Sequence, residues 1–336
     1  MTARVWPAAL GRVRPWLVHY LAWDGATTRQ AWIVLPSGWG PSAPPPPAPL
    51  VISPHGRNNL GWSNAVTYWQ NLPADGSFIL VCPDGLGRAH DKATDPYDQP
   101  PPDAGLFSYG YSQEIADLAR MPQIVHATLP WLRVDLERVY VLGSSMGGQE
   151  TLLLAARFPR ALAAGTGRLA GAAAFDAPCD LAEQCAYLTH RQPSASGSPV
   201  GVAALMLEEI GAKPASVLGF DQTARFYNRR TKTQMTIGQL LSKLPAHQAL
   251  WDERSPLGYV ETLASLPFTL RLYWSTKDVV VANQATKQSG KLYARIKAAK
   301  PAADVERVQG TWAHSAEFVP NGKLGEALAG FGLIAT

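Results

Sequence analysis

Residues 138–158 read RVYVLGSSMGGQETLLLAARF, and their character changes twice along this stretch. The apolar run at 138–142 predicts a buried strand, and the apolar positions of 147–158 predict a helix that ends before Pro159. Between them, residues 143–147 form a Gly-x-Ser-x-Gly pattern. Glycine two residues to either side of the serine leaves room for a sharp, strained strand-to-helix turn. The stretch therefore predicts that Ser145 lies at the carboxyl edge of a sheet, with its hydroxyl exposed.

Other short apolar runs lack strict alternation, which is typical of strands buried on both faces of a parallel sheet. They lie at 50–53, 78–82, 169–175, 268–274 and 304–309. An antiparallel hairpin over 17–23 and 30–35 precedes them. Helices are expected at 111–129, where Pro122 kinks or divides the helix, and at 322–331. Eight strands with helices between them indicate an α/β fold, with a mostly parallel sheet flanked by helices.

The interval 180–265 interrupts this alternation of strands and helices. It contains Gly, Ser and Pro clusters and helical patches at 202–210 and 236–244, without a convincing buried strand. We interpret it as a helical and loop insertion, a cap or lid, within a single domain of residues 1–336. An ordinary pair of helices flanking the sheet, with long loops, is the alternative.

The composition excludes several classes of protein. Of 336 residues, 46% are hydrophobic and 17% charged, which excludes a disordered chain, and a net charge of +4 is too small to indicate a nucleic-acid surface. Three cysteines cannot build a disulfide framework; Cys179 and Cys185 could close one loop, but reduced thiols are favoured. Neither a signal peptide nor a membrane span is visible, so we expect a soluble cytoplasmic protein, with a secreted mature form left open.

A serine hydroxyl is a weak nucleophile at neutral pH and needs a base, which in turn needs an orienting acid. His314 is the favoured base because it follows the last predicted strand and precedes the last helix. The acid is expected after a strand that lies between the serine and the histidine. Asp278, after the 268–274 strand, fits this position, and Asp176, after the 169–175 strand, is the alternative.

Two backbone N–H groups are expected to stabilise the oxyanion that forms when Ser145 attacks a carbonyl. Met146 supplies one, at the positive end of the predicted helix. Pro54-His55-Gly56 ends a buried strand, and Gly56 lets the chain turn closely. The second donor is therefore the N–H of Arg57 or, less favoured, that of Asn58.

Weaker signals point to substrate or ion binding. Trp62 and Trp312 could line an aromatic pocket, although ordinary packing explains each equally well. His90 and the aspartates up to Asp103 could suggest a cation site, but the prolines among them favour a solvated loop. The basic and aromatic residues of 225–232 are more typical of a solvated face than of an anion site.

Taken together, residues 50–320 resemble the α/β-hydrolase superfamily, particularly its prolyl-oligopeptidase-like and its polyhydroxybutyrate-depolymerase or feruloyl-esterase-like branches. The matching stretches are PHG at 54–56, PDGLGR at 83–88, VDLERVYVLGSSMGGQETLLLAARFP at 134–159, ERSPLGYV at 253–260, STKDVVV at 275–281 and AHS at 313–315. The resemblance implies an α/β-hydrolase fold and a Ser145–Asp278–His314 triad with oxyanion donors near Arg57 and Met146. It also implies an enzyme without metal or cofactor that acts through an acyl-enzyme.

Two departures from the resemblance bear on function. About fifty residues precede the first parallel strand, too few for the propeller that such oligopeptidases usually carry. Arg57 follows Gly56 where a further glycine is common. We therefore expect a serine esterase for small-molecule carboxylic esters. A peptidase of the oligopeptidase type is the second hypothesis, and a non-catalytic binding protein on the same scaffold is the third.

Overall fold

A computed structural model describes residues 2–5, 10–26, 28–57, 59–84, 109–163, 167–190, 220–221, 225–228, 233–236 and 248–335. The strands in these ranges are β1 (Thr2–Val5), β2 (Val13–Leu21), β3 (Thr28–Pro36), β4 (Ala48–Ile52), β5 (Ile79–Pro83), β6 (Val134–Ser144), β7 (Leu169–Phe175), β8 (Phe220–Asp221), β9 (Arg225–Asn228), β10 (Thr233–Thr236), β11 (Thr269–Ser275) and β12 (Val305–Gly310). Nine of them form one sheet in the order β1-β2-β3-β5-β4-β6-β7-β11-β12, and β8, β9 and β10 form a separate antiparallel sheet.

The large sheet is mostly parallel, as predicted. Strands β1, β2, β3 and β5 pair antiparallel in that order, and every neighbouring pair from β5 to β12 is parallel. The predicted hairpin is β2–β3, and each predicted buried run is a strand. The described sheet has nine strands rather than the predicted eight. The additional strand is β1, whose four residues are mostly exposed and carry no strand pattern.

The helices are α1 (Gly61–Asn64), followed by a π-helical turn (Ala65–Trp69), α2 (Leu72–Gly76), α3 (Ser112–Ala119), α4 (Met121–Thr128), α5 (Met146–Arg157), α6 (Leu181–His190), α7 (Gln248–Arg254), a 3₁₀ turn (Pro256–Tyr259), α8 (Val260–Ala264), α9 (Gln284–Lys287), α10 (Ser289–Ala299) and α11 (Lys323–Gly330). The predicted helix over 111–129 is divided into α3 and α4. Pro122 lies in the first turn of α4, where its missing N–H costs no hydrogen bond.

The sheet is buried on both faces. Leu50 and Ile52 pack in one hydrophobic cluster and Val51 in a second, and all three side chains are fully buried. Because successive residues of a strand point to opposite faces, the two clusters lie on the two sides of the sheet. This double burial accounts for the unbroken apolar runs of the central strands.

Much of the interval 180–265 lies outside the described residues, and so do the helical patches predicted at 202–210 and 236–244. The three short strands β8, β9 and β10 lie in this interval, where only helices and loops were expected. The cap or lid itself stays a prediction. The whole segment from His90 to Asp103 also lies outside the described residues, as do the basic residues Arg229, Arg230 and Lys232. None of the described helices combines the length and the apolar composition that a membrane crossing requires.

The three cysteines give a test of the described core. Cys82, Cys179 and Cys185 are buried free thiols, and burial raises the pKa of Cys179 to about 12 and that of Cys82 well above its usual value. Since the thiolate is the reactive form, we expect native protein to resist alkylation by iodoacetamide and denatured protein to take up three labels, counted by intact mass. A single label on the denatured, unreduced protein would instead reveal a Cys179–Cys185 disulfide.

Candidate active site

Ser145 lies in a strained turn between β6 and α5. Its backbone has φ 59° and ψ −125°, a conformation that residues other than glycine rarely adopt. The Ser145 N–H donates to the Phe175 carbonyl (2.8 Å), and the Gln149 N–H donates to the Ser145 carbonyl (3.1 Å). These bonds join the turn to the neighbouring strand β7 on one side and to the first turn of α5 on the other.

The glycines of the pattern are required by close backbone contacts. A Cβ atom at Gly143 would lie 2.4 Å from the Gly147 carbonyl oxygen, and one at Gly147 would lie 2.2 Å from the Pro54 carbonyl oxygen. Both distances are too short for carbon and oxygen atoms that are not bonded to each other. Gly147 thus allows the loop after β4 to pass directly over the start of α5.

This loop carries one of the predicted oxyanion donors. A Cβ atom at Gly56 would lie 3.7 Å from the Cβ atom of Ser145, so the loop passes beside the serine. The His55 side chain is buried, and its Nδ1 donates to the Gly56 carbonyl (2.8 Å). Arg57 follows directly, and Asn58 lies outside the described residues. Met146 is the first residue of α5, where backbone N–H groups lack acceptors within the helix.

Asp278 and His314 form a hydrogen-bonded pair. His314 Nδ1 donates to Asp278 Oδ2 (2.7 Å), while the other oxygen, Oδ1, accepts the N–H groups of Val280 (2.8 Å) and Val281 (2.9 Å). The Asp278 side chain is fully buried, whereas that of His314 is 15% exposed. A proton held on Nδ1 leaves Nε2 free to accept another. The pair therefore has the arrangement of a base oriented by an acid.

A hydrogen bond links the turn of Ser145 to the loop of His314. The hydroxyl of Ser144 donates to that of Ser315 at 2.6 Å, so the residues next to Ser145 and His314 in the chain are in direct contact. Since β6, β7, β11 and β12 are neighbours in the parallel sheet, their carboxyl ends meet at one edge. The structure thus brings the turn of Ser145 and the Asp278–His314 pair to the same edge.

Asp176, the alternative acid, lies in the same cluster without taking Asp278's place. Its Oδ1 accepts the Ser275 N–H (2.9 Å), and its Oδ2 accepts the Trp312 indole N–H (3.0 Å) and the Ser315 N–H (2.9 Å). Burial raises the pKa of Asp176, and so does the charge of Asp278, against the lowering effect of the Ser315 N–H. Two of its three described partners, Trp312 and Ser315, lie on either side of His314 in the chain.

Three atoms that can bind a metal ion lie within 4.8 Å of one another: a carboxylate oxygen of Asp176, one of Asp278 and a ring nitrogen of His314. This spacing also suits a cation. All four carboxylate oxygens already accept N–H groups of the protein. We therefore interpret the cluster as a hydrogen-bonding network. Within the described residues, no other such group of three or more residues occurs.

The two tryptophans differ in their surroundings. Trp62 is 4% exposed and packs against Trp32, with ring centroids 4.5 Å apart, so protein encloses its ring and the packing interpretation holds. Trp312 is partly exposed and bonded to Asp176. The sequence reasoning missed Ser144 and Ser315, because no local pattern distinguishes either serine and their contact joins positions 171 residues apart.

Comparisons with known proteins agree with the fold. Solved structures with similar folds include an S-formylglutathione hydrolase from Agrobacterium tumefaciens, with 14% identity, a TM-score of 0.58 and 98% of both chains covered. An acetyl xylan esterase from Paenibacillus sp. R4 has 16% identity and a TM-score of 0.56, with 98% of this chain and 87% of that chain covered. The chain has the α/β-hydrolase fold. The fold that the resemblance implies is thus confirmed.

Residues 26–164, less than half of the chain, match the family model named Esterase. An acylaminoacyl peptidase from Pyrococcus horikoshii has 13% identity and a TM-score of 0.57, with 94% of this chain but 41% of that chain covered. No curated protein matches the chain in sequence. At these identities the solved structures establish the fold of this chain.

The close contact at Gly147 is open to a direct test. We expect Gly147→Ala to lower the free energy of unfolding by about 1–3 kcal/mol, because the added Cβ must push the Pro54 loop away from α5. Urea unfolding measures this change. Gly38→Ala is the matched control, since no atom lies within 4 Å of an added Cβ there. Equal stability of both variants would contradict the close approach.

Proposed function

We propose that the protein hydrolyses carboxylic esters of small molecules through an acyl-enzyme formed on Ser145. The observation that carries this proposal is the Asp278–His314 hydrogen bond at the sheet edge where the strained turn holds Ser145. The match of residues 26–164 to the esterase model supports an ester as the bond that is cleaved. Hydrolase and esterase names among the similar solved structures agree with that assignment.

In the first half of the reaction, the Ser145 hydroxyl attacks the ester carbonyl while His314 Nε2 takes its proton. The imidazolium that forms is stabilised by the Asp278 carboxylate, which burial and the N–H groups of Val280 and Val281 hold in one orientation. The N–H groups of Met146 and Arg57 receive the oxyanion. Collapse of the tetrahedral intermediate expels the alcohol, which takes the proton from His314, and leaves the acyl group on Ser145.

In the second half, a water molecule takes the place of the alcohol. His314 removes its proton as the water oxygen attacks the acyl carbonyl, and the proton then returns to Ser145 Oγ as the acid is released. The same oxyanion donors serve both steps. One base, held in one tautomer by Asp278, thus acts four times in each turnover: twice as proton acceptor and twice as donor.

The nucleophile is tested first. We expect Ser145→Ala to lose labelling by a fluorophosphonate probe and to lower kcat for p-nitrophenyl acyl esters on the order of 10⁴–10⁶-fold. Ser265→Ala, at an exposed position, is the control and should behave as the wild type. Undiminished ester hydrolysis by Ser145→Ala would exclude Ser145 as the nucleophile.

The acid is tested by Asp278→Asn. An amide in place of this carboxylate removes the charge and can present N–H to His314 Nδ1, which favours the wrong tautomer; kcat should fall about 10⁴-fold. Asp304→Asn, at an exposed position just before β12, is the matched control. The assignment of Asp278 fails if both variants retain the activity of the wild type.

The bond that is cleaved is tested by pairing esters with amides. Wild-type protein should hydrolyse p-nitrophenyl acyl esters of several chain lengths far faster than aminoacyl p-nitroanilides with matched acyl groups, compared through kcat/KM. Faster cleavage of the anilides would instead indicate the peptidase hypothesis.

A further inference from the structure

The structure assigns Asp176 a role in the active site beyond the proposed triad: it is a positioning residue that holds the His314 loop against the Ser145 turn and places a second negative charge beside the imidazole. This inference rests on the proposed function. Asp176 was considered above only as a substitute for Asp278. The contacts give it a separate role, because two of its described hydrogen bonds go to Trp312 and Ser315, on either side of His314.

The carboxylate of Asp176 joins three segments of the sheet edge. It follows β7; it accepts the N–H of Ser275, at the end of β11; and it accepts N–H groups of Trp312 and Ser315 in the His314 loop. Asp278 lies three residues after Ser275. The side chain therefore fixes the segment that carries the acid and the segment that carries the base with respect to each other.

Two hydrogen bonds in sequence connect Asp176 to the residue that precedes the nucleophile. Ser315 donates its N–H to Asp176 and accepts a hydrogen bond from the Ser144 hydroxyl, and Ser144 directly precedes Ser145. Removing the Asp176 carboxylate would break the bond that holds the N–H of Ser315. We expect the His314 loop then to be held less firmly against the Ser145 turn, while the hydrogen bond from His314 to Asp278 persists.

Backbone strain at this edge agrees with a functional role. Ser145, Asp176 and Ser315 have φ values of 59°, 47° and 60°, which side-chain-bearing residues rarely adopt. Such strained residues cluster at active sites, where the surrounding contacts hold them in place. Asp176 and Ser315 belong to the network described above, and Ser145 directly follows its member Ser144.

The charges near His314 also favour the assignment. A carboxylate oxygen of Asp278 and one of Asp176 each lie within 4.8 Å of a His314 ring nitrogen. Asp278 lies in the turn after β11, and Asp176 in the turn after β7. Of the other charged residues nearby in the chain, Glu317 follows on the His314 loop, Lys277 precedes Asp278, and Arg57 lies on the loop after β4. Burial and the charge of Asp278 raise the pKa of Asp176, while the N–H groups of Ser315 and Trp312 and the neighbouring His314 oppose this by favouring the ionised form.

The test is the pKa of His314 in the full chain, followed by NMR of the imidazole Cε1–H and assigned with His314→Gln. We expect Asp176→Asn to lower this pKa by about one unit, because a negative charge that favours the imidazolium is removed. The acid limb of the kcat/KM profile for a p-nitrophenyl ester should move to lower pH by the same amount, with kcat reduced and KM little changed. Asp304→Asn, whose side chain is exposed, is the control.

An unchanged His314 pKa in folded Asp176→Asn would overturn the inference, since a purely structural aspartate lowers activity without moving this pKa. If the variant does not fold, carboxyl ¹³C NMR of the wild type decides: Asp176 ionised at neutral pH supports the inference, and Asp176 protonated there overturns it. These readouts need no turnover. Failure of the proposed function would appear separately, as wild-type protein that neither reacts with a fluorophosphonate nor hydrolyses any ester.

Discussion

The backbone at Ser145 adopts a conformation that is costly for a residue with a side chain, and the chain around it is arranged to hold that turn. Its N–H is bonded to the Phe175 carbonyl on β7, and α5 begins at the next residue. Gly143 and Gly147 leave the space that the turn and the Pro54 loop occupy. With larger residues at these positions, strand, helix and loop could not meet so closely. The packing of buried elements around it offsets this strain, so the partly buried Ser145 is held in a fixed position at the sheet edge.

The parallel sheet brings the turn of Ser145 together with the other candidate catalytic residues. Strands β6, β7, β11 and β12 are neighbours, and all of them end at the same edge. Groups that follow these strands meet there even though they are distant in the chain. Hydrogen bonds also connect the segments at this edge to one another. Both carboxylate oxygens of Asp176 and of Asp278 accept N–H groups, and the Ser144–Ser315 hydrogen bond joins two loops. Buried carboxylates are tolerated in such a place because these donors replace water.

The features that the sequence predicted are those with local causes. Buried strands read as unbroken apolar runs, the glycine pattern is a steric requirement of one turn, and Asp278 and His314 follow strands in order. The features that it missed depend on contacts between distant turns. The bonds of Asp176 to Trp312 and Ser315 arise only because β7 and the end of β12 share an edge. The edge strand β1 has four mostly exposed residues and so no hydrophobic pattern to read. The role of Trp62 was ambiguous because an indole suits a pocket and a core equally. Its burial against the tilted ring of Trp32 favours the core.

The crystal structure of the wild-type protein after reaction with a fluorophosphonate tests the central claim most directly. The account predicts that phosphorus is bonded to Ser145 Oγ and that the phosphoryl oxygen accepts hydrogen bonds from the N–H groups of Met146 and Arg57. It also predicts that the His314 ring lies beside the adduct with its bond to Asp278 intact. An adduct on another residue, or a phosphoryl oxygen that points away from both N–H groups, would contradict it.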